Sequence, residues 1–241
     1  MNIVIPMAGL GSRFTEAGYA IPKPLLPAHG KTLLEWSVDS LPLELATTLV
    51  FVGLKQHRDE HGLEDEIRRL YASRNPRFLW LDETTRGQAE TVVLAADLLD
   101  PEAGLLIFNI DTAFRSSGLA ARLQDASHDG VLGSFHSTEP RFSFASTDAD
   151  GIVNEVREKS VISNDALTGL YHFSSTAAFL EIARAAIAAD EREKGEFYVA
   201  PLYNRLIARG ARFILDPCEK HWILGTPAEY QAFLAEDPAS L

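Results

Sequence analysis

The sequence predicts an α/β fold, a Rossmann-like mixed sheet flanked by helices, folded as one domain over residues 1–241. Three observations carry that prediction. Short apolar runs alternate with helix-like stretches up to about residue 130, closely spaced strands with tight turns follow, and no linker, internal repeat or low-complexity tract divides the chain. With 241 residues and 46% hydrophobic content the chain can bury a full core.

The first strand is residues 3–5, and further apolar runs at 48–52, 78–81 and 105–108 read as buried strands. Between them, 33–41, 63–71 and 89–98 have helical spacing. This alternation implies a mostly parallel sheet with helices on both faces, and such sheets place ligands at the strand carboxyl ends, where the loops after Ile5 and Phe108 lie. Beyond residue 130 the strands are 130–135, 143–147, 152–158 and 167–173, with turns at Asp148-Ala149-Asp150-Gly151 and Ser163-Asn164-Asp165. This half is expected to be more antiparallel. Helices at 176–193, 198–208 and 228–234 close the chain. Residues 1–130 and 131–241 are expected to form the two sides of one cleft.

The formal charge of -12 argues against nucleic acid as a partner, because a phosphate backbone needs concentrated basic surface. No window approaches the roughly 18 apolar residues of a membrane span, and the N-terminal residues lack a basic region and a cleavage site, so a soluble cytoplasmic protein is expected. The single cysteine, Cys218, excludes a disulfide framework and reads as a small half-buried residue. A hydrophobic sheet edge in the second half leaves a homodimer open.

The most informative stretch is Pro6-Met7-Ala8-Gly9-Leu10-Gly11-Ser12-Arg13-Phe14, followed by Pro22-Lys23-Pro24. Glycines let backbone amides approach phosphate oxygens, and a guanidinium and an ammonium supply the charge a triphosphate needs. A bare Gly-x-Gly also opens dinucleotide folds. Here Phe14 stands where that fingerprint has its third glycine, and no P-loop Gly-Lys-Ser/Thr follows. The stretch reads as a nucleoside triphosphate site, with Ala8, Gly9, Gly11 and Ser12 as the nucleotide-binding loop.

At this point the chain resembles the sugar-phosphate nucleotidylyltransferases, which join a nucleoside triphosphate to a sugar phosphate or similar phosphomonoester and release pyrophosphate. Gly9 to Pro24 matches their Gly-x-Gly-(Ser/Thr)-Arg…Pro-Lys-Pro signature. Arg86-Gly87-Gln88-Ala89, the strand ending at Asp111, Glu158-Lys159 with Thr168-Gly169-Leu170-Tyr171, Gly195-Glu196-Phe197-Tyr198 and Gly225-Thr226-Pro227 match further segments in order. The likeness to glucose-1-phosphate thymidylyltransferases and to capsule and lipopolysaccharide enzymes implies a GT-A-like fold, Mg²⁺ as cofactor, and an NTP and a small phosphorylated acceptor as partners.

The resemblance also implies roles. Arg13 is expected on the leaving β- and γ-phosphates and Lys23 on the α-phosphate or the incoming phosphate, both as electrostatic catalysts of in-line attack. Asp111 is the metal candidate, since Mg²⁺ prefers carboxylate and phosphate oxygens, although an aspartate at a strand end is also a common turn former. Gly87 and Gln88 are expected against the base. Asp82 stands where thymidylyltransferases have a glutamine; as an acceptor it suits the amino group of cytosine, or guanine's donor edge, which tilts the nucleotide to CTP. On the acceptor side, Lys159 is expected on the phosphate, Glu158 on a hydroxyl or amine, and Thr168 and Gly169 along the backbone approach. Glu196 either holds a sugar hydroxyl or begins the next helix.

One departure stands out. Relatives carry a second metal-binding aspartate before the final Gly-Thr turn, and here that stretch is His221-Trp222-Ile223-Leu224-Gly225. Either Asp111, phosphates and water hold the metal, or Asp216 or Glu219 reaches in, or activity is lost. His221 is a ligand or a packed residue, with packing the preferred reading, and Trp222 is core or cleft wall. His57 and His61 lack a zinc motif and are expected on a helix surface. Two other readings stay open: a GT-A glycosyltransferase using Asn109-Ile110-Asp111 as its metal motif, and an inactive nucleotide-binding protein.

Overall fold

The computed structural model describes residues 1–237. A nine-stranded sheet runs through both halves. Its parallel part is Leu105–Phe108, Asn2–Pro6, Thr48–Leu54 and Arg77–Leu81, in that spatial order. These strands lie between two layers of packing, and Ile3, Val4, Ile5, Val50, Phe51 and Val52 have no exposed surface, which explains why they read as unbroken apolar runs.

The long strand Asp165–Phe173 joins the halves. Its end pairs antiparallel with Leu105–Phe108, and its start pairs with Gly130–His136 and with Phe144–Thr147, beyond which Val153–Arg157 forms the edge. The second half is therefore antiparallel as expected, with one exception. Phe213–Pro217, which the sequence reading left out, lies parallel to Gly130–His136. The Val153–Arg157 edge is polar: Asn154 and Arg157 are exposed, and Arg157 pairs with Glu155 at 2.5 Å. Such an edge resists strand addition.

The helix at Leu63–Tyr71 matches its expected span. Gln88–Leu94 ends earlier than expected and continues as a 3₁₀ turn at Ala96–Leu98. The helix Thr176–Ala188 also stops short of residue 193, where the chain turns through Asp190 with φ 50°. A strand pair without a sequence signal and the helix that carries His57 and His61 matter for the site. Thr112–Arg115 and Lys220–Ile223 form an antiparallel pair outside the main sheet, and Lys55–His61 makes a short helix after the second parallel strand. No helix among the described residues is long and apolar enough to cross a membrane.

Candidate active site

The loops after Asn2–Pro6 and Leu105–Phe108 open into a cleft of about 580 Å³. Ala8, Gly9, Gly11, Arg13, Lys23, Gly87, Gln88 and Asp111 line one side, and Glu158, Lys159, Thr168, Gly169 and Glu196 line the other. Of the residues singled out in the sequence for substrate and metal, Ser12 and Asp82 do not line it.

A satellite core holds the first side together. Phe14, the residue in the third-glycine position, is 2% exposed and packs edge-on against Tyr19 and Tyr230, at 5.4 and 6.2 Å between ring centroids. Leu26, Leu33, Ala113, Trp222, Leu224 and Phe233 complete that cluster. It fastens the glycine loop, the Lys23 turn, the strand after Asp111 and the C-terminal helix Pro227–Leu234 to one another. Trp222 is thus core, as one reading had it. Arg13 projects from the exposed face of the short helix Ser12–Glu16 and forms no ion pair with a described residue.

Lys23 begins a 3₁₀ turn between Pro22 and Pro24, whose rings fix the backbone on either side. Its side chain is 14% exposed and its Nζ stands 3.9 Å from Asp111 Oδ2. Burial pulls the ammonium below its usual pKa, with Arg13 acting the same way, while Asp111 and Glu229 oppose the shift. Asp111 is placed by the antiparallel pair that begins after it: Leu224 N donates to its carbonyl at 2.7 Å, which seats the Gly225-Thr226 turn beside it.

Gly87 caps the Gln88–Leu94 helix at φ 144°, and a Cβ there would run into the backbone of Phe197. That close approach is bonded on both sides, Phe197 N to Arg86 O and Ala89 N to Phe197 O, each at 2.9 Å. It brings Glu196 and Tyr198 to the cleft. Gln88 Nε2 donates to Asn109 Oδ1, so Asn109 is already engaged and does not offer a second metal carboxylate as an Asp-x-Asp motif would. Asp82 is 78% exposed at its side chain and ion-paired with Lys55 at 2.7 Å. Asp82 therefore stands off the cleft wall, held by Lys55, and offers no acceptor to a base bound in the cleft.

Across the cleft, Glu158 is 6% exposed and accepts from Ser143 Oγ. Burial pushes its carboxyl up from the usual value, although Ser143 and Lys159 work against the shift. Lys159 sits at φ 50°, a left-handed conformation that costs a lysine on the order of 1 kcal/mol. It donates to Tyr198 OH at 2.6 Å, and that hydroxyl donates to Glu196 Oε1 at 3.1 Å. The Tyr198 bond holds the Lys159 ammonium above its usual pKa. Gly169, at φ 88°, lies where the pairing register shifts between Leu167 and Tyr171, and a Cβ there would stand 2.5 Å from Asn109 Nδ2. The bulge lets the backbone of this wall approach the opposite one.

The two carboxylates considered as a second metal ligand do not reach in. Asp216 is fully buried against Ser116 Oγ at 2.9 Å and Arg122 at 2.7 Å, and Glu219 is bonded to Ser117 on the surface. His221 packs on Phe135 with ring centroids 4.1 Å apart, the packed reading. His57 corrects the surface expectation: it is 7% exposed, lines the cleft, and burial, then His61, keep its pKa low. Arg141, Ser143, Tyr198 and Glu229 also line the cleft. Arg141 lies in a loop with no motif, and the Thr226…Glu229 spacing reads in sequence only as a capping box. Among the described residues no cluster of three or more His, Cys, Asp or Glu could hold a metal. Asp111 fits Mg²⁺ of the kind bound by one or two carboxylates together with phosphates and water.

Comparison with known proteins agrees with this geometry. The family described as MobA-like NTP transferase domain matches residues 3–195. A nucleoside-diphosphate-sugar pyrophosphorylase from Vibrio cholerae RC9 is 35% identical, with a TM-score of 0.83 over 97% of this chain and 100% of that one. A Bacillus anthracis structure assigned as a glucose-1-phosphate thymidylyltransferase shares the fold at 19% identity, with a TM-score of 0.76 over 98% and 94% of the two chains. The bifunctional protein GlmU of Paraburkholderia phymatum is 28% identical over 239 residues, covering 96% of this chain and 50% of that protein. The chain spans about half the length of the curated relatives it matches. With the family profile covering most of the chain and the glycine loop, Lys23 and Asp111 assembled in one cleft, the chain belongs to the MobA-like NTP transferase family.

Proposed function

We propose that the protein is a sugar-phosphate nucleotidylyltransferase. It condenses a nucleoside triphosphate with a sugar phosphate or other small phosphomonoester and releases pyrophosphate. The observation that carries this reading is the two-sided cleft: Arg13, Lys23 and Asp111 on one wall face Glu158 and Lys159 on the other. An acidic chain has gathered its cations where two phosphorylated substrates would meet.

In this reading the loop 8–11 holds the triphosphate by its backbone amides, and exposed, unpaired Arg13 meets the β- and γ-phosphates. Lys23 neutralises charge on the α-phosphorus as the acceptor oxygen attacks. Lys159 grips the acceptor phosphate, while Glu158 and Glu196 accept from hydroxyls or an amine on the acceptor. Mg²⁺, held at Asp111, would supply charge neutralisation on the triphosphate. The chemistry needs positioning more than covalent help. A destination in capsule or lipopolysaccharide synthesis rests on the sequence resemblance alone, and the base is left to residues other than Asp82.

The test is pyrophosphate release with Mg²⁺, each of five nucleoside triphosphates, and a panel of sugar-1-phosphates, polyol phosphates and amino-alcohol phosphates. Release requiring one triphosphate and one acceptor, and absent in Lys23→Ala, is the expected result. Transfer from a nucleotide sugar with no pyrophosphate release would replace this reading with a glycosyltransferase.

A further inference from the structure

Ile223 stands where the sequence resemblance implies a second metal-binding aspartate, and Asp216 and Glu219 are committed elsewhere. A different carboxylate faces the same space. Glu229 lies in the first turn of the C-terminal helix, its N–H donating to the Thr226 hydroxyl at 3.3 Å. Its Oε1 accepts from Arg141, a residue of the opposite wall. Its Oε2 is buried and has no partner at hydrogen-bonding geometry. A Cβ built on Gly225 would stand 3.5 Å from this Oε2 and 3.7 Å from Asp111 Oδ2. The two oxygens therefore border one small space beside a residue with no side chain to fill it.

We propose that Glu229 is the second carboxylate ligand of the divalent cation, working with Asp111 from a helix terminus in place of the aspartate missing at position 223. The inference rests on the nucleotidylyltransferase reading. A buried carboxylate oxygen without a donor is costly, and a cation gives it a partner. Two carboxylates, triphosphate oxygens and water are the donor set Mg²⁺ accepts. Arg141 occupies the other oxygen and leaves Oε2 as the one open to a cation. Lys23, 3.9 Å from Asp111 Oδ2, offsets part of the negative charge of the two carboxylates.

The experiment is Mn²⁺ binding followed by electron paramagnetic resonance, with Mn²⁺ alone and with each of five nucleoside triphosphates, without acceptor and so without turnover. The proteins compared are wild type, Glu229→Gln, Asp111→Asn and Arg141→Gln. The Thr226 hydroxyl still accepts from the backbone N–H of residue 229 in Glu229→Gln, so this variant is expected to fold, and a thermal melt checks it. The expected result is at least tenfold weaker Mn²⁺ binding in Glu229→Gln and in Asp111→Asn, with Arg141→Gln binding Mn²⁺ as tightly as wild type or more tightly. Wild-type affinity in Glu229→Gln, with Asp111→Asn impaired, would overturn the Glu229 assignment and leave the nucleotidylyltransferase reading intact. Equal weakening in Glu229→Gln and Arg141→Gln would overturn it as well, making Glu229 only an anchor for Arg141. No triphosphate-dependent Mn²⁺ binding by the wild type would remove both.

Discussion

Lys23 is buried yet faces Asp111 and Glu229. Lys23→Ala should lower kcat by about 10²–10³, the usual loss when one preorganised charge is removed from a transition state, and steady-state kinetics will read it. Lys159→Ala should act mainly through the KM of the acceptor. Glu158 gives a prediction of opposite sign for stability. Its carboxyl is raised in the folded protein, so the folded state holds its proton more tightly and loses stability as pH rises from about 4.5 through the raised value. Glu158→Gln should therefore melt at a higher temperature than wild type at pH 7.5, the difference shrinking as pH falls toward 4.5, while the acceptor KM rises. Thermal melts across pH measure the first effect. Arg13, Lys23 and Asp111 were legible in the sequence because residue type and spacing are tied together by the loop that presents them. Arg141, Glu229 and His57 were not, because each reaches the cleft from an element whose direction only the tertiary fold sets.

At the scale of elements, the satellite core under the glycine loop is what makes the site rigid. Phe14→Ala should cost about 3–5 kcal/mol of unfolding free energy, as for other buried phenylalanines, and should weaken triphosphate binding by loosening the loop. Urea denaturation and nucleotide titration separate the two effects. Thr226→Ala, which removes the cap of the C-terminal helix, should cost about 1 kcal/mol. The parallel strands were readable because burial on both faces leaves them wholly apolar. The pair Thr112–Arg115 with Lys220–Ile223 was not, since each strand is short, carries polar residues, and finds its partner far along the chain. That pair sets Asp111 beside the Gly225 turn, so the hidden element is the one that closes the Asp111 side of the cleft.

For the molecule as a whole, a net charge of -12 is compatible with binding two anions only because Arg13, Lys23, Arg141 and Lys159 converge on one cleft. Its acid limit is set in part away from that cleft. His172 is buried between the halves of the sheet, and burial pushes its pKa down to about 4. The unfolded chain binds this proton more readily, so stability should fall by on the order of 3 kcal/mol as pH drops from 6.5 toward 4. Unfolding free energies over that range should show the slope in wild type and lose it in His172→Gln. The central claim, that a phosphate oxygen of one substrate displaces pyrophosphate from the other, is tested most directly by ³¹P nuclear magnetic resonance of the complete reaction. A new diphosphate linkage between nucleotide and acceptor, growing in equal amount with pyrophosphate and absent in Lys23→Ala, is the predicted result. Nucleoside monophosphate and pyrophosphate appearing while the acceptor phosphate signal stays unchanged would contradict it.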